Sequence, residues 1–449
     1  MDNLHNEQTS TPSAAAPPFL QVETFSAGRT RVLTELMGTE ICSPDLAPIA
    51  DRIERHILDA WAHFLHCSPA HNNVHAWWLI QESHAGQRRP VAASGPVGTR
   101  LYQPKSLTSD AVWCGLVQWL GCAMGDQLSS PIAIHPQAGW GWMELVQHRP
   151  CEEQLQIAQY YRRLGSIAAL GWLLGGSDGT GSNFVAAGPY PILVDAEMVL
   201  LPGHSAFADP LETEFRRTAF GPCTVVDSDG NTSSLGAAAM AHVRCRHGRH
   251  PAAGQPPCLY CHHVPRIDQQ PHFVNDYVAQ LSDGFAKALE VLYATRQVLL
   301  SVCSPLSAFE GATGRVVLRP TAAYGLVRQW LFHGLRSSHR WPDVGNLLSK
   351  MPVKHALQDE GRAVFIHDEV RQLCDGDVPR FEMGFDKERL MINGVPAVWF
   401  TLSGLARARM RIETLTRSMT EDVARAWTSY VCASLKNVEQ RRYEWTSSQ

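Results

Sequence analysis

The stretch "GGSDGTGSNFVAAGPYPILVDAEMVL", Gly175–Leu200, sets acids and an amide around a turn and a short apolar strand. Asp178 and Asn183 sit in a Gly/Ser-rich loop; Asp195 and Glu197 follow the apolar run Ile192–Val194. Phosphoryl transfer is catalysed mostly by positioning and charge neutralisation. It needs a carboxylate to receive the acceptor hydroxyl and hard oxygen donors to hold Mg2+ against the phosphates. Asp178 has the place of the first, and Asn183, Asp195 and Glu197 that of the second. The same residues also fit a plain turn, with Asp178 capping a helix and the two acids ending a buried strand at the surface. A Walker phosphate loop is excluded, because no Gly-Lys-Ser/Thr is present.

Upstream, Glu152–Leu174 reads as a helix. Ile157, Tyr161, Leu164 and Ala168 recur at helical spacing, and Gly175-Gly176 ends the run. Asp51–His66 reads as an amphipathic helix. Residues 77–105 read as strands with turns at Gly95 and Gly98, Asp276–Ser301 as one helix, and Leu402–Lys436 as the last long helices. Strands come first and helices dominate later, an α+β order.

The chain has 449 residues, 45% of them hydrophobic, and a net charge of −4, enough for a large core and without the basic excess that nucleic acid or an anionic membrane would call for. No apolar run approaches the roughly 20 residues of a membrane span. The start, "MDNLHNEQTSTPSAAAPPF", has neither a basic nor an apolar signal segment, so residues 1–20 read as a disordered lead-in to a cytoplasmic protein. The 12 Cys are dispersed, as thiols rather than a disulfide framework. The insert 221–271 differs in chemistry: Cys258-x-x-Cys261 with Cys245 has the ligands of a structural Zn2+ site, and a Pro/Gly/His-rich loop with incidental thiols is the alternative.

The order of motifs resembles the dehydratase domain of type II lanthipeptide synthetases. The pattern there is Gly-Trp-x-Glu, a helix, Thr-Asp-x-His-x-x-Asn, and an apolar strand ending in Asp-x-Glu. Here these are Gly141-Trp142-Met143-Glu144, Ser177-Asp178 through Asn183, and Asp195-Ala196-Glu197. "QESHAGQRR" is similar to the family's Gly-Asp-x-His segment, and "LYQPKSL" to its Tyr-Lys-Pro-Arg-Ser-Leu strand. "GRVVLRPTAAY" is similar to Arg-x-x-x-Arg-x-Thr-x-x-Tyr, and "LCDGDVPRF", Leu373–Phe381, to Gly-Asp-Ile-Pro-x-Phe.

The resemblance implies a distant lipid- and protein-kinase-like two-lobed core with additional helices. It would span residues 21–445, with residues 76–150 as the smaller lobe and 151–445 as the larger. It implies ATP- and Mg2+-dependent phosphorylation of Ser or Thr in a ribosomally made precursor peptide with a leader region, then elimination of phosphate. Asp178, Asn183, Asp195 and Glu197 would serve phosphorylation; Glu82, His84, Arg315 and Thr321 would serve elimination. Elimination needs a cation for the departing phosphate and a group to move the α-proton, which suit Arg315 and His84. Read blandly, His84 is a turn residue and Arg315 a solvated charge.

Three departures stand out: Thr180 replaces the family His, Gln103 replaces a phosphate-contacting Lys, and Glu82 replaces an Asp. Lys105, two residues beyond Gln103 and so on the same face of a strand, is the expected substitute. The expectation is a dehydratase that stands alone, without the cyclase that follows this region in complete synthetases, working with other modifying enzymes. The rival expectations are a phosphate-eliminating lyase without kinase activity and a non-catalytic scaffold that binds the leader.

Overall fold

The computed structural model describes residues 22–37, 46–67, 75–79, 83–84, 86–95, 98–179, 183–207, 215, 262–268, 270–338 and 340–447. Alternation of side chains builds its antiparallel six-stranded sheet: β1 (Val22–Glu23), β2 (His75–Leu79), β3 (Val91–Gly95), β4 (Gly98–Gln103), β5 (Ile134–Gln137) and β6 (Trp140–Glu144), in the order β1-β2-β3-β4-β6-β5. Ala92, Leu101 and Met143 stand opposite one another across three strands and bury one face against Leu107. Val91 and Tyr102 bury the other face against α1 (Phe25–Met37) and α2 (Ala47–Cys67). In α2 the buried residues Ala50, Ile53, Ile57, Ala60 and Phe64 fall at spacings of three and four, one face of a helix.

A second core gathers around α4 (Gln154–Leu174), which is apolar nearly all round and therefore central. Residues of α3 (Thr108–Met124), α5 (Val278–Ala294), α10 (Gly404–Thr414) and α11 (Arg417–Ser447) join it in that core. The crossing of α4 and α5 depends on two glycines. A Cβ on Gly165 would lie 2.0 Å from the Leu281 carbonyl oxygen, and one on Gly284 would lie 1.8 Å from that of Arg162. Phe285 of α5 stacks on Trp427 of α11 at 4.1 Å between ring centroids. Gly175, in the left-handed region at φ 71°, ends α4 and turns the chain into the acid-bearing loop.

Three short hairpins, β7 (Phe184–Ala187) with β8 (Tyr190–Leu193), β9 (Arg266–Ile267) with β10 (Gln270–Pro271), and β13 (Arg389–Ile392) with β14 (Val395–Trp399), and one long-range two-stranded pair, β11 (Thr313–Arg315) with β12 (Glu382–Gly384), complete the described fold. Between β11 and β12 run α7 (Thr321–Ser338), α8 (Val344–Lys350) and α9 (Asp359–Cys374). Val327, Leu331, Phe332 and Leu335 of α7 join the core under the sheet, so that core draws on both ends of the sequence.

The class is α+β, with helix exceeding strand. Two local expectations are corrected. Helices α1 and α2 precede nearly all of the sheet, and strands return at β12–β14. The single helix over Asp276–Ser301 is a 3-10 turn, α5, and then α6 (Arg296–Leu300). The break falls at Thr295, whose hydroxyl donates to the Val291 carbonyl at 2.7 Å, a local bond that competes with the helix ladder. The lead-in over 1–20 lies outside the described residues. Among the described residues no helix is long and apolar enough to cross a membrane.

Candidate active site

The hairpin β7–β8 brings the quoted motif together. Asn183 immediately precedes β7, and Asp195 lies two residues beyond β8. The Val194 N–H donates to the Asn183 carbonyl at 2.8 Å, and the Ser177 N–H donates to the Met198 carbonyl at 2.8 Å, which ties the loop to the segment after the strand. Asp178 has φ 63°, in the left-handed region that, Gly aside, Asn and Asp enter most readily. The Asn183 amide nitrogen fixes it, donating to the Asp178 carbonyl at 2.9 Å and to its carboxylate at 3.1 Å. Asp178 therefore does not cap a helix: α4 has already ended at its Gly175 cap.

Glu197 is the hub, only 4% exposed, which removes the reading of it as a surface acid. Its Oε2 accepts from Lys105 Nζ at 3.0 Å and from Arg380 Nη2 at 2.7 Å. Its Oε1 accepts from Arg380 Nη1 at 3.2 Å and lies 3.6 Å from Arg315 Nη1. Lys105 also pairs with Asp195. Arg315 Nη2 donates to the Thr321 hydroxyl at 3.2 Å, and Arg380 Nε donates to Glu382 at 2.7 Å. The backbone fixes these reaches: the Arg315 N–H donates to the Glu197 carbonyl at 2.9 Å, and Arg315 pairs with Glu382 across β11–β12. Asp110, buried on α3, accepts from the Ala196 N–H at 2.9 Å and so holds the segment between the two acids.

His84 reaches the cluster from the sheet side. The segment 375–381 braces its turn: Asp377 accepts from the Gly86 and Gln87 N–H groups at 2.6 and 3.0 Å. The Val378 N–H donates to the Ser83 carbonyl at 3.0 Å. His84 Nδ1 lies 2.7 Å from the Val378 carbonyl, which can only accept, so Nδ1 carries the proton and Nε2 keeps its lone pair.

Electrostatics follow from burial and these partners. Burial, with Arg315 and Arg380 nearby, pushes His84 down to about 3, so the ring is neutral at pH 7. Burial, with the charges of Asp195 and Glu197, pushes Asp178 up to about 7. Burial likewise lifts Asp110 to about 6 against the pull of Lys105. Burial alone would raise Glu197, but Lys105, Arg380 and Arg315 hold it well below the usual carboxylate range. Burial would lower Lys105 and Arg380; their carboxylate partners raise both.

Of the residues singled out in the sequence, the structure gathers Lys105, Asp178, Asn183, Asp195, Glu197, Arg315, Thr321 and His84 at one place. Lys105 arrives by another route than the strand-face argument: β4 ends at Gln103, and Lys105 lies in the bend leading to α3. Gln103 closes β4 opposite Gly141. Glu82, Thr180, Cys245, Cys258 and Cys261 lie outside the described residues. Sequence reasoning missed Arg380 and Asp110. Arg380 stood in a quoted motif at its variable position, and Asp110 opens a helix with nothing local to mark it.

Mg2+ takes hard oxygen donors in near-octahedral geometry. Asn183 and Asp195 have hard oxygens of the right chemistry. Glu197 does not fit as a ligand in this arrangement. Both of its oxygens face cations, and the Lys105 ammonium bridges Asp195 and Glu197. Among the described residues no three acidic, histidine or cysteine side chains converge on a metal position.

In comparisons with known proteins, a family described as "Domain of unknown function (DUF4135)" matches residues 80–384, more than half of the chain and nearly all of the residues above. No curated protein sequence matches.

Proposed function

The chain belongs to the DUF4135 family, and from that premise we propose that it dehydrates Ser or Thr in a ribosomally made peptide by phosphorylation followed by phosphate elimination. The family is associated with lanthionine synthetases of the LanM type. One observation carries the reading: residues to which the resemblance gives two different steps, Asp178, Asn183 and Asp195 for one and His84, Arg315 and Thr321 for the other, meet around one carboxylate, Glu197. The six-stranded sheet followed by a helical body is consistent with the small and large lobes of a kinase-like core.

For phosphorylation, a carboxylate near pH 7 suits receipt of the acceptor hydroxyl proton, and Asp178 is raised to that range. ATP is the expected donor and would supply the phosphoryl group. For elimination, the α C–H bond breaks, its proton passes to a base, the carbon–carbon double bond forms, and the C–O bond to phosphate breaks. His84 Nε2 has the free lone pair for the proton. Arg315 offers a fork to the leaving phosphate, and Thr321 holds that fork in place. A phosphate dianion would offset the cations that depress His84, making it a stronger base once substrate is bound.

The engagement of Glu197 with three cations favours a second reading, elimination alone from a peptide phosphorylated elsewhere. Mass spectrometry of a precursor peptide encoded beside this chain, after incubation with protein and Mg-ATP, separates the two. Loss of one water per modified residue, dependent on ATP, supports the first reading. Phosphate loss only from a supplied phosphopeptide supports the second. No change in either peptide contradicts both.

A further inference from the structure

We propose that Arg380, with Lys105 and Arg315, forms a metal-independent receptor for a phosphate monoester, in which the Glu197 carboxylate is a built-in counter-ion that the phosphate replaces. This deepens the preceding reading and rests on it for the identity of the phosphate, a phosphorylated Ser or Thr side chain. Three cations reach one carboxylate from three separate parts of the chain: the β4–α3 bend, β11, and the segment before β12. None has a side chain more than 15% exposed. Arg380 presents its fork to Glu197 through both terminal nitrogens, at 3.2 and 2.7 Å. That is also the geometry in which a guanidinium receives two oxygens of a phosphate.

A carboxylate carries one charge and two oxygens, whereas a phosphate monoester dianion carries two charges and three free oxygens. Asp195 and Glu382 also pair with Lys105 and Arg380, so it is the third oxygen together with the second charge that lets the dianion engage all three cations more fully than Glu197 does. Backbone bonds hold the receptor's frame independently of Glu197's side chain. The Arg315 N–H binds the Glu197 carbonyl, and the Val316 N–H binds the Phe381 carbonyl beside Arg380, both at 2.9 Å.

The test is calorimetric titration of the full chain with inorganic phosphate in chelator-treated buffer, alongside mass spectrometry of a synthetic phosphoserine peptide incubated with the same proteins. The wild-type chain binds phosphate without added metal. Arg380→Gln weakens binding about 10- to 100-fold, the worth of a charge-assisted hydrogen-bonded pair. Arg380→Lys, which keeps the charge but loses the fork, falls between. Glu197→Gln removes the carboxylate charge that the three cations share and leaves Lys105 to Asp195 and Arg380 to Glu382, so it melts at a lower temperature without phosphate and gains more from added phosphate than the wild type does. Binding seen only with Mg2+, or unchanged in both Arg380 variants that melt like the wild type, overturns the receptor. Undiminished elimination in Arg380→Gln also overturns it and leaves the functional reading standing. Arg380-dependent phosphate binding without any elimination supports the receptor and sinks the functional reading.

Discussion

Asp178 combines a left-handed backbone, a buried carboxyl and a pair of acidic neighbours, each unfavourable on its own. Its folded-state value of about 7 lies above the ordinary 3.8, so the folded chain holds this proton more tightly than the unfolded chain. The stability this gives is fully present below pH 3.8 and is lost as the pH rises through about 7. Asn accepts the same backbone angle and can still accept the Asn183 hydrogen bond. Asp178→Asn is therefore expected to raise stability at pH 8 by on the order of 2 kcal/mol, with the advantage vanishing near pH 4. It should also abolish phosphorylation. Thermal melts of both proteins across pH check the first part; a variant less stable than wild type at pH 8 contradicts it.

At the scale of elements, two close contacts set the frame behind the site. Arg319, just before α7, is fully buried and donates to Glu369 of α9 at 2.7 and 3.1 Å, while the Tyr324 hydroxyl donates to the same carboxylate. Arg319→Met leaves Glu369 buried without its counter-ion and should cost about 3 kcal/mol or more. A denaturant melt within 1 kcal/mol of wild type would contradict that. At the α4–α5 crossing, Gly284→Ala drives a methyl into the Arg162 carbonyl, and a loss of about 2 kcal/mol or more is expected. The same melt checks it, and Gly325→Ala, where a methyl meets nothing, serves as its control. Periodicity made α2 legible in advance, because it buries residues at spacings of three and four; α4 was legible from helical spacing in its first half and the Gly175-Gly176 stop, although its second half is buried on every side. The break at Thr295 was not legible: no Gly or Pro marks it, and the hydroxyl bond to Val291 is one of several conformations a threonine can take.

At the scale of the molecule, the site joins parts of the chain that local pattern cannot connect. The loop from Asp178 to Glu197 was readable because a hairpin keeps its chemistry within a few residues. Arg380 was not, since its partner Glu197 lies 183 positions away and nothing in either local sequence names the other. The core around α4 also predicts where the fold is most resistant to opening. Amide exchange should be slowest in α4 and α5 and fast in α1, which is exposed along one side. Mass-resolved hydrogen exchange showing α1 as protected as α4 would contradict that ranking. The division of labour at Glu197 is tested most directly by the product that Arg315→Ala makes from a precursor peptide and Mg-ATP. The variant loses one fork on the departing phosphate but leaves Asp178 and Asn183 paired, so elimination should slow by roughly 100-fold while phosphorylation continues. The mass spectrum should then show peptide that has gained phosphate and kept its water. Only unmodified peptide from a folded variant, or peptide dehydrated as fast as by the wild type, would contradict the two-step account.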